Sequence, residues 1–159
     1  MKNYPSKILS AMLFVSLIFL ACAVLAQTMT PQDALTQYIS DLQKNPNDNA
    51  LREKIIKHVQ TMKPALAVPE DAERFVARGI AAMKGAKSAG DFKDAVKEFE
   101  KASLSAPWLA NVYYNLGVAQ DNAGMYADAI KSLKLYLLAA PNASDAASVK
   151  NLIYEIEYR

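Results

Sequence analysis

The sequence predicts an all-α fold, in which antiparallel helix pairs stack one after another and a last helix closes the C-terminal end. Three observations carry that expectation. Apolar residues recur at helical spacing along most of the chain, and no stretch alternates apolar and polar residues as a half-buried strand would. A set of glycine, aromatic, alanine and proline positions recurs at a spacing of 34 residues. With 159 residues, the chain is long enough for one domain with a core of its own.

Residues 1–26 read as a secretory signal peptide. Lys2 and Lys7 flank the start of an apolar run over residues 8–20, and small residues follow, ending in Val24-Leu25-Ala26. Cleavage after Ala26 would leave Gln27 at the N-terminus. Two other outcomes stay open: lipidation at Cys22, behind the imperfect pattern Phe19-Leu20-Ala21, and an uncleaved anchor, since residues 8–26 approach the shortest length that spans a bilayer. The expected location is therefore the periplasm or cell envelope, with membrane contact only if the signal is retained or Cys22 is lipidated. Removing Lys2 and Lys7 from the 18 Lys and Arg leaves 16, against 16 Asp and Glu, so the cleaved chain is formally neutral. It lacks the basic footprint of a nucleic-acid binder. Cys22 is the only cysteine, so a cleaved product needs no disulfide in an oxidising compartment.

Residues 27–68 form an N-terminal helical region. A first helix opens at Thr30-Pro31-Gln32-Asp33, with a capping residue before a proline that suits the first helical position. It buries Ala34, Leu35, Tyr38, Ile39 and Leu42. A second carries Leu51, Ile55, Ile56, Val59 and Met62, and Pro64 and Pro69 then bound a linker. The third helix has a stripe of Ala72, Phe75, Val76, Gly79, Ile80, Ala82, Met83 and Ala86. The fourth carries Phe92, Ala95, Val96, Phe99 and Ala102, and Asp91 and Asp94 at its start suit the positive end of the helix dipole. The fifth carries Leu109, Val112, Tyr113, Leu116 and Gln120, and the sixth Tyr126, Ala129, Ile130, Leu133 and Leu137. A seventh, capped by Ser144, carries Val149, Leu152, Ile153 and Ile156.

The repeat is specific. Gly124, Tyr126, Asp128, Ala129, Lys131, Leu133 and Pro141 each lie 34 positions after Gly90, Phe92, Asp94, Ala95, Lys97, Phe99 and Pro107. Gly79 and Gly117 are 38 apart instead. The excess of four is close to one helical turn, so the earlier pair is expected to have a first helix one turn longer, with both glycines on the same packing face. Glycine inside a helix costs about 1 kcal/mol relative to alanine. Gly117 is explained if the next helix packs close against it at Ala129, and Gly124 if it caps the fifth helix in the left-handed conformation.

Residues 110–143 resemble a tetratricopeptide repeat, with Tyr113, Leu116-Gly117, Gly124, Tyr126, Ala129, Leu133 and Pro141 at its offsets. Residues 76–109 resemble it through their second half, with Gly90, Phe92, Ala95, Phe99, Ala102 and Pro107. Ala34, Tyr38 and Pro46 echo a degenerate half-repeat. The organisation expected is thus a short α-solenoid, with two repeat units over residues 69–143 and a capping helix over residues 144–159 that covers the last repeat's core. As a whole the chain is similar to small bacterial exported proteins of this family.

The resemblance implies that the first helix of each repeat lines a concave groove for a partner peptide. On the fifth helix the candidate stripe is Asn111, Tyr114, Asn115, Val118, Asp121 and Asn122, and from the third helix Ile80, Lys84 and Lys87 could form the neighbouring wall. The same stripe could instead be an ordinary solvated face, or be covered by the second or third helix. Trp108, beside Pro107, is either an interface anchor or a cap on the core between repeats. Tyr113 and Tyr126 take core offsets. Family members that clamp a chaperone's C-terminal carboxylate use Lys and Asn from the first groove helix, Asn from the second and Lys with Arg from the third. Here Asn115 fits the second helix, but the first offers Val76 and Ile80, or Ile80 and Lys84, and no third supplies Lys with Arg, so that function is rejected.

Catalysis finds no support. His58 is the only histidine and has no cysteine partners for zinc in a cleaved chain. Glu98 and Glu100, two apart on a helix, point in different directions. No phosphate-binding glycine loop follows a strand. The expectation is a non-enzymatic scaffold or adaptor without cofactor or metal that binds a protein or peptide. A self-assembling structural protein and a modulatory subunit of an envelope enzyme are the alternatives.

Overall fold

The computed structural model describes residues 29–159. The signal peptide, its cleavage after Ala26 and Cys22 lie outside these residues. Seven α-helices follow in order: α1 Pro31–Lys44, α2 Asn49–Gln60, α3 Glu70–Gly85, α4 Ala89–Ser105, α5 Ala110–Asn122, α6 Tyr126–Ala139 and α7 Ala146–Glu157. Among the described residues there is no strand, and no helix is long and apolar enough to cross a membrane. Residues 31–159 pack as one compact unit.

Two hairpins, α3–α4 and α5–α6, make the repeat. Both close on a glycine. A Cβ on Gly79 would lie 2.6 Å from the Phe99 ring, and one on Gly117 would lie 2.7 Å from the Leu133 side chain and 3.3 Å from the Ala129 carbonyl oxygen. Phe99 and Leu133 are themselves 34 positions apart, so the two hairpins use one contact twice. The longer first helix is also present, since α3 has 16 residues and α5 has 13. Gly124 has φ +75°, and it ends α5 in a Schellman motif: Met125 N donates to Gln120 O at 2.8 Å and Gly124 N to Asp121 O at 3.0 Å.

Equivalence in sequence does not always carry conformation. Gly90 lies in the first turn of α4 rather than in a left-handed cap. Ser88 starts α4 early through a capping box, its hydroxyl accepting from Asp91 N while the Asp91 carboxylate accepts from Ser88 N. Backbone donors from Lys87 and Ser88 and the Ser88 hydroxyl hold the Asp91 carboxyl below its ordinary value. Ser144 does not cap the last helix. Asp145 occupies that position without bonding the helix N-terminus, because its carboxylate accepts the Tyr136 hydroxyl. That bond, with burial, pushes the Tyr136 phenol up to about 12. Tyr126 is not core either. It sits at the first position of α6, 39% exposed, with the Arg159 guanidinium 5.7 Å over its ring.

The N-terminal hairpin α1–α2 places its contacts on α4 and α6, the second helices of the two pairs. Leu35, Leu42 and Ile55 form a small core with Leu104 and Trp108, while Ile56 reaches into the α6–α7 core of Leu133, Tyr136 and Ile153. One polar bond fixes the same docking and another closes the hairpin itself. Gln60 Nε2 donates to Leu138 O at 2.8 Å, supplying one of the carbonyls that the end of α6 leaves open. His58 Nε2 donates to Pro31 O at 2.8 Å, its ring edge-on to Tyr38, so this histidine ties α2 to the start of α1.

Candidate interaction surfaces

The stripe on α5 is partly engaged within the chain. Asp121 accepts from Arg159 Nη1 at 2.9 Å, and Asn122 Nδ2 donates to Val118 O at 2.8 Å. Tyr114 is half-buried, its ring tilted against Tyr136 at 5.4 Å between centroids. Asn111 is exposed and Asn115 half-buried, and neither side chain is hydrogen-bonded among the described residues. On α3, Val76, Ala82 and Met83 pack into a core with Leu116, Ala119 and Ala123, which brings the first helices of the two pairs side by side. Ile80, 36% exposed, lies outside that core, and Lys84 is exposed in the last turn. Lys87 falls in the loop after α3, where its backbone N donates to Asp91 at 2.9 Å. The arrangement therefore offers Ile80, Lys84 and Asn111 as accessible groups, with Tyr114, Asn115 and Val118 half-buried beside them.

Trp108 packs inside the molecule. It is half-buried against the Leu35–Leu42–Ile55 core, so what it anchors is the N-terminal hairpin.

A second surface, not anticipated from the sequence, is a cleft of about 430 Å³ between α4 and α6, floored by α5 and walled at one end by the start of α2. Tyr113, Leu116 and Gln120 form the floor. Gln120 and Ser132 are both 5% exposed and satisfy each other, the Ser132 hydroxyl donating to Gln120 Oε1 at 2.7 Å. At the hairpin end, Arg52 is only 8% exposed. Its Nη1 donates to Ser103 O at 3.2 Å and Oγ at 3.0 Å, and its Nη2 to Pro46 O at 2.8 Å. All three acceptors are neutral. Glu100, still exposed to solvent, faces the same cleft, and partial desolvation raises its carboxyl above the ordinary value; Arg52 opposes that shift and Asp128 adds to it. Asp128 itself pairs with Lys131 at 3.0 Å.

A signal for Arg52 was available. It lies three and four positions before Ile55 and Ile56, on the face that α2 buries, so its burial follows from the helical period. Ser103 follows Phe99 by four and Ser132 follows Ala129 by three, on the same logic. Which groups these residues would meet could not be read, because periodicity names a buried face and not its neighbour.

Glu98 and Glu100 do part company, as their spacing predicts. Glu98 bridges Arg78 on α3 at 3.0 Å and Lys101 at 2.7 Å, while Glu100 turns to the cleft. Among the described residues no three His, Cys, Asp or Glu side chains gather as a metal site would require.

Compared with models of known families, residues 86–153 match the tetratricopeptide repeat. The match begins just after α3, where the lengthened helix departs from the family's spacing. No curated protein matches the chain.

Proposed function

From the premise that the chain carries tetratricopeptide repeats over residues 86–153, we propose that it is a non-enzymatic scaffold that holds a protein or peptide partner in the bacterial cell envelope. Repeats of this family are protein-interaction scaffolds in general. The observation that carries the finer reading is where the N-terminal hairpin sits. Its contacts fall on α4 and α6, which leaves the face of α3 and α5 for a partner. There Asn111 and Asn115 can hydrogen-bond an extended backbone while Val118 and Ile80 contact apolar side chains. The compartment rests on residues 1–26 alone.

The test is site-specific photocrosslinking in cells. A photoreactive residue at Asn111, Asn115 or Lys84 is expected to yield adducts that the same residue at Glu53 or Lys57, exposed on α2, does not. Equal adducts from both faces, or none from the first, reject the groove. Cell fractionation with N-terminal sequencing checks the compartment, and a cytoplasmic protein retaining Met1 refutes it. A second reading, self-assembly, is favoured by Tyr154 and Tyr158, which are 65% and 95% exposed at the C-terminal end. Light scattering showing a strict monomer at high concentration dismisses it.

A further inference from the structure

The cleft beneath the hairpin lies on the face opposite to the groove, and its chemistry is different. Its volume falls in the range of small-ligand sites, from roughly 300 to 1,000 Å³. Opposite charges stand at separate places in it. The Arg52 guanidinium is more than nine-tenths buried and forms no ion pair among the described residues; its acceptors are carbonyl and hydroxyl oxygens, which bond the charge without neutralising it. On the α4 wall, the solvent-exposed Glu100 carboxylate has neither a hydrogen bond nor an ion pair among the described residues, and it faces Asp128, whose own charge is balanced by Lys131. A wholly anionic ligand would meet Glu100 and Asp128. A wholly cationic one would meet Arg52 and Lys131. An uncharged one would remove water from both unneutralised groups and compensate neither.

We propose that this cleft binds a small zwitterion, a free amino acid or the two ends of a short peptide, with its carboxylate on Arg52 and its ammonium on Glu100. A guanidinium can offer a carboxylate two parallel donors. Arg52 lines the cleft, and Ser103, Pro46 and the Tyr113 hydroxyl engage only part of its five N–H donors within the chain.

The test is NMR titration of the full chain with alanine, dialanine and trialanine, each also N-acetylated and C-amidated. One member of the series is expected to shift the amide signals of Asn49, Arg52, Glu100 and Lys131 saturably, and blocking either of its ends weakens binding by about tenfold or more. The member that binds best separates an amino-acid site from a peptide site. Glu100→Gln is expected to weaken the free ligand and leave the acetylated one unchanged, since both changes remove the same ion pair. Arg52→Lys keeps the charge but loses the fork, and it is expected to weaken the free ligand and spare the amidated one. Should Arg52→Lys fail to fold by circular dichroism, Glu100→Gln decides alone. The proposal is overturned if no member gives saturable shifts, if blocked forms bind as well as free ones, or if Glu100→Gln weakens free and acetylated ligands alike. Shifts confined to α3 and α5 would also overturn it, while leaving the groove reading standing.

Discussion

Gly79 and Gly117 are the positions where one added carbon decides most. A Cβ on Gly79 would meet the Phe99 ring at 2.6 Å, and a ring cannot bend away as a chain end can. Alanine at either glycine is expected to lower stability by about 1–3 kcal/mol, as overpacking does, read from urea unfolding midpoints. Gly85→Ala should act the other way, by about 0.5–1 kcal/mol, since a Cβ there meets nothing within 4 Å and the helical backbone tolerates it. These contrasts were legible in the sequence for Gly79, Gly117 and Gly124, where the broken period named the face and the cap. Tyr126 was not: an offset common to the family does not reveal that the position opens to Arg159. Glu100 makes a prediction of its own. Its folded carboxyl titrates above the ordinary 4.5, so its contribution to stability is fully present below that value and is lost as pH rises through the folded one. Glu100→Gln should therefore be more stable than the parent at neutral pH, with the gain gone below pH 4.5 in denaturant titrations.

The element that matters most is α2. Its period identified Ile55 and Ile56 as buried, and both are, at 0% and 1% exposure. The two nevertheless enter different cores, Ile55 with α1 and Ile56 with α6 and α7. That division depends on where the linker of residues 61–69 returns the chain, and a non-helical, proline-bounded segment has no periodicity to read. Ile56→Ala is expected to cost about 2–4 kcal/mol, measured by chemical denaturation. Arg52 belongs at this scale too, because it joins the turn after α1 to α4, and no pattern within α2 shows that a cation would be carried into contact with Ser103.

For the whole molecule, the sequence supported the stacked pairs and their closing helix, and the order of elements agrees. Repeat arrays are normally close to one-dimensional, each unit touching only its neighbours. This one is not, since α2 joins the core built around α6. Hairpin and repeats should therefore unfold together. Trp108 is the only tryptophan and packs from the α4–α5 loop against the hairpin's own core, so its fluorescence reports the docking of the hairpin on the repeats. Its transition is expected to coincide with that of far-UV circular dichroism. A Trp108 transition at lower denaturant would show the hairpin detaching first.

The bond from Gln60 to the Leu138 carbonyl spans 78 positions, and it sets a schedule for biosynthesis. When α2 leaves the ribosome, α6, the helix it docks against, does not yet exist. The face that carries Ile56 must wait, uncovered, until nearly the last residue of α6 has emerged, whereas Leu35, Leu42 and Ile55 can pack earlier with one another and with Leu104 and Trp108. If residues 1–26 direct export as proposed, that delay keeps the chain in a state that can still be threaded unfolded through a narrow channel.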